Sequence, residues 1–76
     1  MNKPRRKAIA SIMEKMEELY SELESVQGEE QEALDSIPEN LIGSERYEAM
    51  ETAISTLEDA LSYLEQAKDS LEEILS

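Results

Sequence analysis

Leu57-Glu58-Asp59-Ala60, Leu64-Glu65-Gln66-Ala67 and Leu71-Glu72-Glu73-Ile74 are three turns of one seven-residue phrase. A leucine returns at every seventh position. Three places after it stands an alanine, replaced by isoleucine only in the last repeat, and Met50 and Ala53 begin the pattern one heptad earlier. Apolar residues at steps of three and four, with no proline or glycine from 45 to 75, predict one long α-helix whose seam packs on another helix. The series Ala53, Ala60, Ala67 is expected to let the partner backbone approach closely, with Leu57, Leu61, Leu64, Leu71 and Leu75 as its bulky flanks.

The partner helix lies earlier in the chain. Ile9, Ile12, Met13, Met16, Leu19, Tyr20, Leu23 and Val26, then Ala33 and Leu34, form a stripe that opens near Lys3-Pro4. Proline is favoured in a first helical turn, where its missing N–H leaves nothing unpaired. Gly28 weakens this helix by about 1 kcal/mol relative to alanine without ending it. Glu30 occupies a heptad position where an apolar residue is expected. The fold class is therefore all-α: an antiparallel two-helix hairpin with long helices at about 4–35 and 45–75 and a short helical turn at 37–42. In that turn Ser36 and Glu39 fit a capping box, and Gly43 fits a position of positive φ. Ile37, Leu41 and Ile42 are expected to plug the end, and Ser44 to cap the second helix. Both stripes are wider than one partner helix can cover, which predicts assembly into a helical bundle, a dimer or larger homo-oligomer. Residues 1–76 make a single hairpin domain with a basic N-terminal arm at 1–7.

Composition narrows the function classes. The chain has no cysteine and no histidine, so thiol chemistry, the commonest metal ligand and the commonest general base are all missing. Its serines and threonines have no base to activate them, and its carboxylates lack the spacing of a calcium loop. No catalytic residue, no metal site, no cofactor and no enzymatic activity are expected. No long apolar run suggests a leader or a membrane span, so the expected location is the cytoplasm. Seven basic residues face nineteen acidic ones, a net charge of −12. Four of the seven (Lys3, Arg5, Arg6, Lys7) crowd the arm, so the remainder repels nucleic acid and direct binding to it is not expected.

Candidate binding residues are the exceptions to the acidic pattern. Arg46 is the only basic residue between Lys15 and Lys68, and it occupies a first helical turn, where the helix dipole disfavours a cation. It either pairs with Glu39, Glu45 or a glutamate of the first helix, or acts as a cationic donor beside Asn40 and Tyr47 for an anionic, planar ligand. The arm has the same two roles open to it. It either neutralises Glu65, Glu72 and Glu73 at the end of the second helix, or clamps a phosphate through Arg5 and Arg6. In one hairpin the arm and Arg46 lie at opposite ends, and an antiparallel dimer would bring them together. Tyr20 and Tyr63 are expected in or beside the core.

Asn2-Lys3-x-Arg5-Arg6-Lys7, the connector Pro38-Glu39-Asn40-Leu41-x-x-Ser44-Glu45-Arg46 and the Leu-Glu-x-Ala repeats resemble a family of short helical-hairpin proteins of Gram-positive bacteria and their phages. The resemblance spans nearly the whole chain and implies no settled activity. By analogy of size and shape, small phage proteins of this kind include anti-defence sponges that sequester cyclic nucleotide signals. The leading expectation is thus a non-enzymatic homo-oligomer that binds an anionic nucleotide through Arg5, Arg6, Asn40, Arg46 and Tyr47. The alternatives are an acidic helical inhibitor, or DNA mimic, seated in a basic protein groove, and a structural coiled-coil adaptor.

Overall fold

A computed structural model describes all residues, 1–76, as an antiparallel helical hairpin. Helix α1 runs Lys3–Asp35 and α2 runs Glu45–Leu75, with a single turn of 3-10 helix, Glu39–Leu41, between them. The rod measures 60 × 15 × 14 Å. Asn2 caps α1, its Oδ1 accepting from the Arg5 backbone N–H at 2.9 Å. Ser44 caps α2 as expected, its Oγ accepting from the Tyr47 N–H at 3.2 Å. α1 passes through Gly28 unbroken, and Gly43 takes φ 89°, the left-handed conformation anticipated for it.

The connector departs from expectation in two places. Ser36 ends α1 instead of opening the turn: its Oγ and its backbone N–H both bond the Glu32 carbonyl, at 2.8 and 3.1 Å. The capping box with Glu39 therefore does not form, because the serine satisfies the orphan carbonyl behind it. Leu41 and Ile42 do not plug the hairpin. Both are about half exposed, and only Ile37 is partly covered.

The seam follows two interleaved heptad rows on each helix. On α1 these are Met13, Tyr20, Gln27, Leu34 and Ile9, Met16, Leu23, Glu30; on α2 they are Tyr47, Ile54, Leu61, Lys68, Leu75 and Met50, Leu57, Leu64, Leu71. Leu34, Ile54 and Leu61 are the only buried residues, at 9%, 6% and 6% exposure. The small series is rotated out of this seam. Ala53 and Ala67 are exposed and Ala60 only half-buried, so the leucines and Ile54, and not the alanines, meet α1. Burial explains the choice, since isoleucine and leucine each remove far more apolar area from water than alanine does.

The register is set by two long-range contacts. Lys68 Nζ donates to Glu17 Oε1 at 3.3 Å, and Arg6 donates to the Ile74 and Leu75 carbonyls at 2.9 and 2.7 Å. Together they bring the start of α1 beside the end of α2, and the middle of α1 beside residues near 64.

Candidate functional site

Outside the seam the hairpin has two long faces of opposite chemistry. On one side Glu17 and Glu24 of α1 run opposite Glu51, Glu58, Glu65 and Glu72 of α2, all of them exposed. Two shallow depressions open here. The first is lined by Met16, Glu17, Tyr20, Leu64, Glu65 and Lys68. The second is lined by Gln31, Leu34, Asp35, Tyr47, Glu51, Ile54, Ser55 and Glu58. Lys68 is the one cation of this face, reaching from a seam position out to Glu17 in the molecule's single ion pair.

The opposite face is apolar. The seven-residue row Ile12, Leu19, Val26, Ala33 of α1 runs beside the row Ala53, Ala60, Ala67, Ile74 of α2. Ile12, Leu19 and Val26 remain 47%, 53% and 50% exposed. Tyr63 stands on the outer side of the alanine row and is 67% exposed, not part of the core. Because the alanines are short, the surface dips between the helices, and Leu19, Glu22, Leu23, Val26 and Leu64 line the hollow. From Ala49 to Ile74, the positions of α2 on this side (Ala49, Ala53, Thr56, Ala60, Tyr63, Ala67, Ser70, Ile74) hold no charge at all.

The residues singled out as candidate ligands are distributed between the two ends of the rod. Arg6 is engaged: its guanidinium bonds two carbonyls that the last turn of α2 leaves without intrahelical partners. The expected pairing of the arm with Glu65, Glu72 and Glu73 does not form, and Arg6 instead takes the two terminal carbonyls. Arg5 is exposed on the side of the apolar face, one heptad before Ile12. Arg46 is exposed one heptad before Ala53 and makes neither ion pair nor hydrogen bond. It does not pin the loop to Glu39 or Glu45. Asn40 is exposed in the 3-10 turn, and half-buried Tyr47 lines the acidic depression of Asp35, Glu51 and Glu58. A single hairpin therefore gathers Asn40, Arg46 and Tyr47 at one end and Arg5 with Arg6 at the other.

No group of three or more histidine, cysteine or carboxylate side chains comes close enough to hold a metal ion. No helix is long and apolar enough to cross a membrane. Comparison with protein-family models, with curated proteins and with solved structures finds no match to this chain.

The feature that sequence reasoning missed is the division into an acidic and an apolar face. Its signal was present: Ile12, Leu19 and Val26 stand seven apart, as do Ala53, Ala60 and Ala67. The alanine row is expected in the hairpin's own contact and Ile12, Leu19 and Val26 as the flank of a stripe too wide for one partner; the structure leaves both rows beside a contact already filled by other residues.

Proposed function

We propose that the chain is a non-enzymatic, homo-oligomeric binding protein that works through its surfaces and not through a catalytic pocket. The observation that carries this reading is the exposed apolar face. A compact monomer of 8.6 kDa exposes about 4,700 Å², whereas this hairpin exposes 5826 Å². Part of that surface is apolar, with Ile12, Leu19, Val26, Tyr63 and Ile74 open to water. Self-association through that side leaves the glutamate face outward. Six carboxylates in two parallel rows form a negative ridge suited to a basic groove on another protein, the role of an acidic inhibitor.

The reading is tested in cells that contain the partner. A basic protein is expected to co-purify with the chain, to be released by raised salt and to remain bound when Arg46 is changed to alanine. Loss of the partner through Arg46→Ala, with the acidic face intact, would remove the acidic-face reading. A second reading is favoured by Arg5 and Arg46, two exposed guanidiniums without partners. Set beside Asn40, they suit a phosphate-bearing ligand such as a cyclic nucleotide. Calorimetry of the oligomer against a panel of cyclic nucleotides decides it, since binding by no member rejects the ligand.

A further inference from the structure

The geometry points to one particular assembly: two hairpins packed through their apolar faces, related by a two-fold axis that puts their loops at opposite ends. This rests on the homo-oligomer reading above and specifies the face, the orientation and the centre of the interface.

The occupant is a second copy because the face complements itself. A face 60 Å long and about 15 Å wide offers an area comparable with the roughly 800 Å² per partner that stable interfaces use. Two orientations bring such faces together. With both loops at one end, Asp35, Glu39, Glu45 and Glu48 of one copy would meet the same four carboxylates of the other. With the loops at opposite ends, Asp35 and Glu39 meet the partner's Lys3, Arg5 and Lys7 instead, while Glu45 and Glu48 lie past the end of the partner's α2. Like charges placed together disfavour the first arrangement, and opposite charges favour the second.

The sizes of the side chains agree with the second arrangement. A two-fold axis at mid-rod falls between Leu19 and Val26 on α1 and near Tyr63 on α2. It sets Ile12 over the partner's Ala33, Leu19 over the partner's Val26, Ile74 over the partner's Ala53, and Ala60 over the partner's Ala67. Each end isoleucine thus meets an alanine, and the alanines at the centre let the α2 helices approach closely, as small residues permit. The hollow lined by Leu19, Glu22, Leu23, Val26 and Leu64 lies on the axis, where its apolar side chains are covered and the exposed Glu22 of each copy stands beside them. The same symmetry carries Arg5 to the height of the partner's Asn40 and Arg46. It therefore gathers at each end of the bundle the basic set that a single hairpin separates.

The experiment combines sedimentation velocity with electron–electron distance measurement. The chain has no native cysteine, so one nitroxide can be placed at Ser76→Cys. The expected result is a species of twice the 8.6 kDa chain mass, with the two labels about 40 Å apart, since each Ser76 lies roughly 12 to 13 residues from the axis at 1.5 Å per residue. Labels at less than half that distance in a dimer would overturn the orientation and leave the homo-oligomer reading standing. A monomer at all concentrations would overturn both.

The face is tested by Leu19→Glu with Val26→Glu, and separately by Ala53→Glu with Ala67→Glu. Glutamate is a good helix former, and Leu19, Val26, Ala53 and Ala67 are exposed in the hairpin, so circular dichroism reports whether each variant stays helical. Each pair is expected to return the protein to the monomer mass, while Glu58→Gln with Glu65→Gln leaves the dimer in place. A dimer that survives both apolar-face variants with helicity retained would overturn the face. So would dissociation by the acidic-face variant alone.

Discussion

The two long faces of the hairpin share one backbone geometry and one seven-residue spacing, and each borders the same seam. One carries Glu17, Glu24, Glu51, Glu58, Glu65 and Glu72; the other carries Ile12, Leu19, Val26, Ile74 and a row of alanines. Neither is covered inside the hairpin, but exposure has opposite consequences for them. Carboxylates in water are well solvated and keep an acidic rod soluble, at the cost of mutual repulsion. Exposed leucine, isoleucine and valine gain free energy by leaving water, at about 25 cal/mol per Å². The difference teaches that the polar side is at ease in water, whereas the apolar side would gain free energy by being covered.

The comparison can be broken most severely from beneath. Leu61 is buried in the seam that supports both faces, and Leu61→Ala is expected to cost about 3 kcal/mol by losing burial and leaving a cavity. Urea unfolding measures this, and a loss below about 1 kcal/mol would mean that the seam is not the main support. Gly28 supplies the opposite control. A Cβ there would meet nothing within 4 Å, so Gly28→Ala is expected to stabilise the rod by about 1 kcal/mol. The rise in melting temperature should come without a change in either face.

The end where the faces converge gives a smaller effect. Arg6→Ala removes both bonds to the Ile74 and Leu75 carbonyls and is expected to cost about 1 kcal/mol. Amide hydrogen exchange should quicken in the last turn of α2 while the rates near Ile54 stay unchanged. The smallest effect sharpens the acidic side alone. Glu58→Gln relieves repulsion across the glutamate rows and is expected to gain a few tenths of a kcal/mol at low salt. Thermal scans should show that gain fading as salt is added, and an equal gain at high salt would mean that repulsion is not its source.

Much of the fold was legible before the structure. Pro4, Ser44 and Gly43 marked helix start, cap and turn through strictly local chemistry, and the structure places them in those roles. The connector was less legible. Ser36 had two competing partners, the Glu32 carbonyl behind it and the turn ahead, and spacing does not rank them. Leu41 and Ile42 looked like a plug because they are apolar, yet the 3-10 turn leaves both outward.

The candidate site was legible only as a set of residue types. Arg6 and Arg46 are both cations near helix starts, Arg6 within the basic arm and Arg46 alone among acidic residues. The structure separates them: one holds the end of α2, and the other is left without a partner.

The sequence by itself determined two long helices, their limits, the tight connection and the uneven charge, because propensity, capping and heptad spacing act within a few residues of chain. Tertiary structure alone decided which of two neighbouring heptad rows on each helix turns inward. Both rows have the spacing of a seam, and only the competition for one shared interface, won by the bulkier Ile54, Leu57, Leu61 and Leu64, leaves Ala53, Ala60 and Ala67 facing out.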